Sequence, residues 1–414
     1  MRDNIRGADS STRGATKVVV ITLGAFKFST RGKKAAIGLR QAGADVTFLG
    51  LSRAGRTGRW DVAGVSEVDG VTVKQVAMRT PRTEPTRKNQ LLNVVQSYIP
   101  AFGRMAWDIY RSKYDSAVVV GSPLIPLGLL FKATGGQRLS LDVTERPGQV
   151  SARGSVFQLF SVLERPLLKL AAKKVDLASA VVPPDVEYLQ SIGFNSVNLV
   201  RNAPLASWRA ENLPIPSGPV RFCLVGSLFE GRGIEKLISA VCSVSSEYEF
   251  EVQLYGNGRK EYLDKLKATS AKLDTFGRIK WMGSVASSEV SGVYLESHVG
   301  LVLYDSNDPG NDGLSNKLME CVSSGRPVLA GDLPQNRRFV EANRVGWLCE
   351  MTEEGIAEGI RSIIEESDSL GELAARCREI GDSWLTWETE FGPVADQLLV
   401  GKLDPDNFSD RGVK

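Results

Sequence analysis

With 414 residues, 42% of them hydrophobic and 24% charged, the chain is too long for one ordinary core and reads as a globular protein of two domains. Its cysteines, at 223, 242, 321, 349 and 377, include no CxxC pair and lie in or beside apolar runs, which argues against a disulfide scaffold and for a reducing, cytoplasmic compartment. The net charge of +3 hides an asymmetry: residues 1–216 carry 30 Lys and Arg against 16 Asp and Glu, while residues 217–414 carry 21 against 32. The cationic half has no recognisable nucleic-acid module and no interleaved aromatic motif, so no nucleic-acid partner is expected.

Residues 1–16 are polar, lack the apolar core of a signal peptide and read as a disordered tail. Nowhere do about 18 uncharged apolar residues run together, so no membrane-spanning helix is predicted. "KVVVITLG" from Lys17 reads as a buried strand ending at Gly24, "RGKKAAIGLRQAG" as a helix closed by Gly43, and "DVTFLG" as the next strand, which makes a β-α-β unit. Further strands are predicted at "VTVKQVA", "SAVVVG", "RLSLDV", "LASAVVP" and "VNLVRNA", with helical patterns over about 91–113, 154–175 and 185–192. That alternation builds a parallel sheet covered on both faces, here a first domain over 17–211.

"NLPIPSGP", residues 212–219, breaks the pattern with its prolines and reads as a linker. Alternation then restarts over 220–390, through strands at "VRFCLVGSL", "FEVQLYGNG", "RIKWMG" and "VGLVLYD" and the helices between them. Residues 391–414 form a last segment and tail that could cross back to the first domain. The prediction is two doubly wound Rossmann-like domains in tandem. Ligands of such open sheets bind outside the carboxyl ends of the strands, so the loops at Gly24, Gly121, Asp142 to Glu145, Gly226 to Gly233, Gly256 to Gly258, Gly283 and 305–315 should face one cleft.

Two turns have the chemistry of an anion site. "LVGSLFEGRGIEKL" sets Gly226, Gly231 and Gly233 around Arg232 before a helix start, where outward amides and a guanidinium fork suit phosphate oxygens. It is neither a Walker loop nor a G-x-G-x-x-G. In "NDGLSNKLMECVSSGRPVLAGD" a helix starting near Ser315 would leave the amides of Gly313, Leu314, Ser315 and Asn316 as free donors, with Lys317 in its first turn and Glu320 one turn on. Amides plus Lys317 suit a diphosphate, while Glu320 and Asp312 suit vicinal hydroxyls. No His/Asp/Glu cluster has metal-ligand spacing, so no metal site is assigned; the single D-x-D, Asp404 and Asp406, lies in a polar tail and reads as solvated. The lone histidine, His298, reads as structural.

The order of "GSLFEGRGIEKL", "LYGNG", "WMGSV", "VGLVLYD", the Asn311 to Val340 stretch, "GWLC" and "WLTWE" resembles the retaining glycosyltransferases of family 4, with weaker echoes in "AGADVTFL", "LDVTER" and "LVRNAP". The resemblance implies the GT-B fold and transfer of a sugar from a UDP- or GDP-linked donor to a carbohydrate or lipid-linked acceptor in polysaccharide biosynthesis, with no cofactor beyond the nucleotide sugar. In the family's E-x7-E motif the second glutamate, here Glu320, holds the ribose, and the first position, here Asp312, faces the donor sugar. The family's phosphate-binding Arg and Lys fall on Ser227 and Arg232, so one cation is absent and Lys317 is placed to compensate. The resemblance further assigns Gly283, Ser284 and Val285 to the nucleobase, Gly256 to the neighbouring turn, and Gly24 to a flexible first loop to which Arg31 could belong. It also gives Glu145, with Asp142 second, as the acid facing the donor sugar. The catalytic set is therefore Glu145, Asp312, Arg232 and Lys317, acting without a metal. The alternatives are a nucleotide-sugar epimerase on the same fold and a non-catalytic partner of an active paralogue, the latter motivated by Asp312, Ser227 and the missing first-domain histidine.

The basic excess predicts, finally, that the first domain docks peripherally on the inner face of the plasma membrane. The candidate segments are Arg79 to Lys88, which includes Arg82 and Arg87, and the following "IPAFGRMAWDIYRSKY" with Phe102, Trp107 and Tyr110.

Overall fold

The computed structural model describes residues 15–53, 64–78, 97–144, 155–211, 213–304 and 314–399, and of residues 155–162 the backbone alone. Strands β1 (Lys17–Ile21), β2 (Asp45–Arg53), β3 (Gly64–Val68), β4 (Val71–Met78), β5 (Ser116–Val120), β6 (Arg138–Val143), β7 (Leu177–Ala180) and β8 (Val197–Leu199) form one sheet in the order β3-β4-β2-β1-β5-β6-β7-β8. Strands β9 (Val220–Val225), β10 (Phe250–Tyr255), β11 (Ile279–Gly283), β12 (Val299–Val302), β13 (Val328–Gly331) and β14 (Gly346–Cys349) form a second, in the order β11-β10-β9-β12-β13-β14. Every pairing is parallel except β3 with β4. Both halves are Rossmann-like, as the alternation predicts.

The central strands are continuous apolar runs because helices cover both of their faces. In β1, Val18 and Val20 face one core while Val19 and Ile21 face the other, and all four are fully buried. The second core takes the helices Ile99–Ser112, Ile125–Ala133, Ser155–Ala172 and Pro183–Ser191. The first takes Thr30–Gln41 and, from the far end of the chain, Trp387–Leu399.

Sequence pattern alone overlooks β3. Its residues are all exposed, so no face of it carries an apolar stripe. The signal for it was the dipeptide Asp69-Gly70: both residues have positive φ, 55° and 71°, the backbone of a two-residue hairpin turn.

The chain passes between the sheets at two places, and the passes are laced together. Arg201 donates to Glu390 through both its backbone N–H (2.9 Å) and its guanidinium (2.7 Å), and Trp387 N–H donates to Pro204 O at 2.7 Å. The return to the first sheet thus begins at Trp387, whose ring is fully buried and stacks on Phe391 at 5.0 Å. Ser116 Oγ and the Arg138 guanidinium hold the end of this last helix by its Leu398 and Gln397 carbonyls.

Candidate active site

At the carboxyl edge of the second sheet the turns after β9, β10 and β11 stack on one another. Gly226 N–H donates to Tyr255 O at 2.9 Å, Leu228 N–H to Asn257 O at 2.9 Å, and Gly256 N–H to Gly283 O at 2.7 Å. The approach requires glycine: Gly226 and Gly256 have φ of 144° and 157°, and a β-carbon on Gly256 would lie 1.8 Å from Gly226 O. Ser227 is exposed on this edge, Ser284 is exposed beyond β11, and Val285 packs against the core below.

The helix Asn316–Ser323 begins beside these turns. Its residues Leu318, Met319, Cys321 and Val322 are buried, which turns Asn316, Lys317 and Glu320 outward at helical spacing. Ser315 is the N-cap, its hydroxyl oxygen accepting from Lys317 N–H at 3.2 Å, and Leu314 packs on the core before it. Lys317 Nζ lies 2.9 Å from Glu320 Oε2, both side chains about a quarter exposed, at 27% and 23%. Below them the Tyr294 phenol donates to Lys317 O at 3.3 Å, and burial pushes its pKa well above the usual phenol value.

A second contact joins the two anion-type turns. The Arg232 guanidinium carbon sits 4.4 Å from the centre of the Tyr304 ring, and the Tyr304 hydroxyl oxygen accepts from Ser315 Oγ at 3.0 Å. Arg232 is therefore linked through one aromatic ring to the cap of the neighbouring helix. Tyr304 went unnoticed in the sequence, where it reads as part of the strand "VGLVLYD"; the strand ends at Val302, before it.

Across from this edge, the first sheet contributes a cationic helix, Thr30–Gln41. Lys34 is 2% exposed; its ammonium donates to Asn202 O (3.0 Å), Asn202 Oδ1 (2.5 Å) and Ala203 O (2.6 Å), and it lies 4.7 Å from the Trp387 ring centre. Burial first, and then the neighbouring Arg31 charge, hold its pKa well below the usual lysine value, while the Glu320 carboxylate acts in the opposite direction. Ala203, whose carbonyl Lys34 reaches, packs in one core cluster with Leu318 and Met319, which places the helices Thr30–Gln41 and Asn316–Ser323 near one another. Sequence reasoning missed Lys34, since an i,i+3 pair with Arg31 on a helix normally reads as solvated charge.

Arg31 and Asp142 have other employment than the expected one. Arg31 meets Asp142 through two hydrogen bonds, 2.5 and 2.7 Å, and donates to Val200 O at 2.9 Å; Ser179 Oγ also donates to Asp142 at 2.7 Å. Arg31 is 8% and Asp142 3% exposed, so this is a buried structural fork, with Arg31 in a helix rather than in a loop over a ligand. Gly24 is in a turn tied by Thr22, whose hydroxyl oxygen accepts from Gly24 N–H at 2.9 Å.

His298 is 3% exposed, its Nδ1 accepts from Arg221 N–H at 3.0 Å, and its ring bonds the Pro216 backbone. It pins the connection over 213–219 to the start of β9. Glu145, Asp312, Gly313, Asp404, Asp406 and the segment from Arg79 to Lys88 lie outside the described residues. Among the described residues no three His, Cys, Asp or Glu side chains gather as metal ligands, and no helix is long and apolar enough to cross a membrane.

Two Rossmann-like halves joined by a double crossing are the GT-B fold. Residues 209–384 match the family model described as glycosyl transferases group 1, which supports a glycosyltransferase. The sucrose-phosphate synthase of Thermosynechococcus elongatus is similar in structure with a TM-score of 0.69 at 15% identity, covering 94% of this chain and 100% of that one. Anabaena HepE, solved with UDP and glucose, gives 0.66 at 13%, covering 92% and 99%. WaaG, a glycosyltransferase involved in lipopolysaccharide biosynthesis, gives 0.63 at 13%, covering 92% and 99%. No curated protein matches the chain by sequence.

Proposed function

We propose that the chain moves a sugar from a nucleoside diphosphate sugar to an acceptor with retention of configuration, and that the acceptor is lipid-linked and belongs to a cell-surface glycan. The observation that carries this reading is the meeting of the Gly226 and Gly256 turns with the start of the helix Asn316–Ser323 and its Lys317–Glu320 pair. A cation and open amides beside a carboxylate that only accepts match a diphosphate next to a ribose.

In this reading Glu320 accepts from the ribose hydroxyls, and the amides of Gly313 to Asn316 with Lys317 and Arg232 take the diphosphate. Asp312 holds the donor sugar, Gly283 to Val285 meet the base, and Glu145 faces the sugar from the first domain, whose Gly24 loop closes over the site. The acceptor hydroxyl attacks the anomeric carbon on the side from which the diphosphate departs. As the bond from that carbon to the diphosphate oxygen breaks, the diphosphate takes the hydroxyl's proton, so no protein nucleophile is consumed. The protein's part is positioning and stabilisation of charge growing on the leaving group, a task the helix start and cations perform without a metal.

Thermal shift against UDP- and GDP-sugars selects the donor, because a ligand of the folded state alone raises its stability. NMR of the transferred sugar then reads the anomeric outcome. A product of inverted configuration, or UDP release with epimerised free sugar and no acceptor dependence, excludes the mechanism.

A further inference from the structure

The helices Ile99–Ser112, Ile125–Ala133 and Ser155–Ala172 lie side by side on one face of the first sheet and bury their inner residues in one core. Their outer surface is not that of an ordinary solvated layer. On the first helix Ile99, Trp107 and Tyr110 are 60%, 61% and 60% exposed. On the third, Leu163 and Leu170, seven residues apart and so on one face, are 52% and 50% exposed. The helix Ile125–Ala133 packs between these two and adds no outward acid, so the layer carries two exposed apolar strips on one side, a pattern that marks a surface that something covers.

The charges say what covers it. Arg104 and Arg111 flank the exposed aromatics, and Arg165, Lys169 and Lys173 flank the exposed leucines. The only acids in the three helices are Asp108 and Glu164, and neither faces outward. Asp108 is 2.7 Å from Lys74 Nζ and accepts from the Tyr114 hydroxyl at 2.8 Å, while Glu164 is fully buried and accepts from Ser122 Oγ. The outer face is thus apolar and of one sign. Trp and Tyr among long cations, on the outside of helices rather than in a groove, is the composition of a surface that sits at the headgroup level of a membrane.

We propose that this helical layer docks on an anionic phospholipid bilayer, with Trp107, Tyr110, Leu163 and Leu170 entering the headgroup region and the flanking cations meeting lipid phosphates. The surface extends beyond the aromatic helix that the sequence singled out: the leucine face of Ser155–Ala172 is its second half, and Phe102, expected to take part, instead packs toward the core. Docking is independent of the transfer reading and stands or falls separately from it.

The test is cosedimentation of the whole chain with vesicles of phosphatidylglycerol and phosphatidylcholine, and with phosphatidylcholine alone, at low and high salt. The parent is expected to follow the anionic vesicles and to leave them at high salt. Replacement of Arg165, Lys169 and Lys173 by Gln should weaken partitioning about 100-fold, since each cation contributes about a factor of five. Leu163→Glu with Leu170→Glu should abolish it, and quenching by brominated lipid should fall in Trp107→Phe. Circular dichroism and thermal melts of the same variants show that they are folded, with no reference to the donor site. Equal binding to neutral vesicles, no binding to either, or indifference to the substitutions overturns the proposal. So does a dimer in solution that Leu170→Glu dissolves while vesicles are ignored, because the face would then be covered by a second copy.

Discussion

Lys317 lies so close to the end of β9 that a β-carbon on Gly226 would come within 2.9 Å of its Cε. Its ammonium is at the same time 2.9 Å from Glu320. We expect Lys317→Ala to weaken UDP or GDP by about 1.5–3 kcal/mol, the range for a charged hydrogen-bond partner. Gly226→Ala should cost stability as well as nucleotide affinity, since it crowds the Lys317 stem and also strains a turn whose φ of 144° favours glycine. Calorimetry and thermal melts on the two variants check it; Lys317→Ala with parent-like nucleotide binding would remove the cation from the site.

Glu320→Gln should weaken free nucleoside diphosphate and intact donor alike, by about 1.5–3 kcal/mol. Asp312→Asn should spare the free diphosphate, which has no hexose to hold, and reduce transfer. If Glu320→Gln binds the nucleotide as tightly as the parent, the loop before it is a capped helix and no more.

Arg232 and the Tyr304 ring against it can be dissected. Arg232→Ala should lower diphosphate affinity and lower kcat further, because negative charge grows on the leaving group in the transition state. Tyr304→Phe keeps the ring under Arg232 and deletes only the acceptor for Ser315 Oγ, so about 0.5–1.5 kcal/mol of stability should go while diphosphate binding holds. A Tyr304→Phe variant that binds nucleotide as poorly as Arg232→Ala would mean that the hydroxyl itself touches the donor.

His298 makes a prediction about acid. Burial lowers its pKa below the ordinary histidine value, so the unfolded chain binds a proton more readily than the folded one. Its contribution is fully present above about pH 6.5, the unfolded value, and is lost as pH falls through the folded value. His298→Asn retains an acceptor for Arg221 N–H and cannot gain that proton. Urea midpoints taken downward from neutral pH should fall less steeply in this variant, with turnover at neutral pH within a few-fold of the parent. A loss of turnover by orders of magnitude in a folded variant would make His298 a catalytic group.

Trp387 packs against Gly38 of the first helix and lies 5.2 Å from the Arg31 guanidinium and 4.7 Å from the Lys34 ammonium. Trp387→Ala should cost about 3–5 kcal/mol, the usual cost of emptying a buried aromatic site. Thermal melts with and without nucleotide check this; a parent-like melt would mean that the ring is peripheral to the packing of the first sheet.

The alternation of strands and helices was legible because a parallel strand covered on both faces is a continuous apolar run, as "VVVI" after Lys17 is, and no partner need be known to read it. Glycines after β9 and β10 were legible as turns, but their mutual contact was not, since it joins Gly226 to a residue thirty positions on. Lys34, Asp142 and Arg31 show the same limit more sharply. Their types suggest solvent or ligand, and their partners, Asn202, Ser179 and Val200, are chosen by tertiary packing over more than thirty intervening residues. The exposed leucines at 163 and 170 were invisible for the opposite reason: a pattern of apolar residues says that a helix has two faces, not which of them stays uncovered.

The late return of the helix Trp387–Leu399 has a consequence for synthesis. One face of the first sheet, with Val18, Val20 and Phe48, is closed by Trp387, Phe391, Val394 and Leu398. A ribosome that has just released residue 211 has made every strand of that sheet and none of this cover. At about 5–20 residues per second, some ten to forty seconds pass before the covering helix can arrive, and in that interval the second half can fold on its own strands. The half made first is completed last, so a chain cut short before Trp387 would present the part of that apolar sheet face left uncovered by the helix Thr30–Gln41 to chaperones and proteases, with the strands of its second sheet all made.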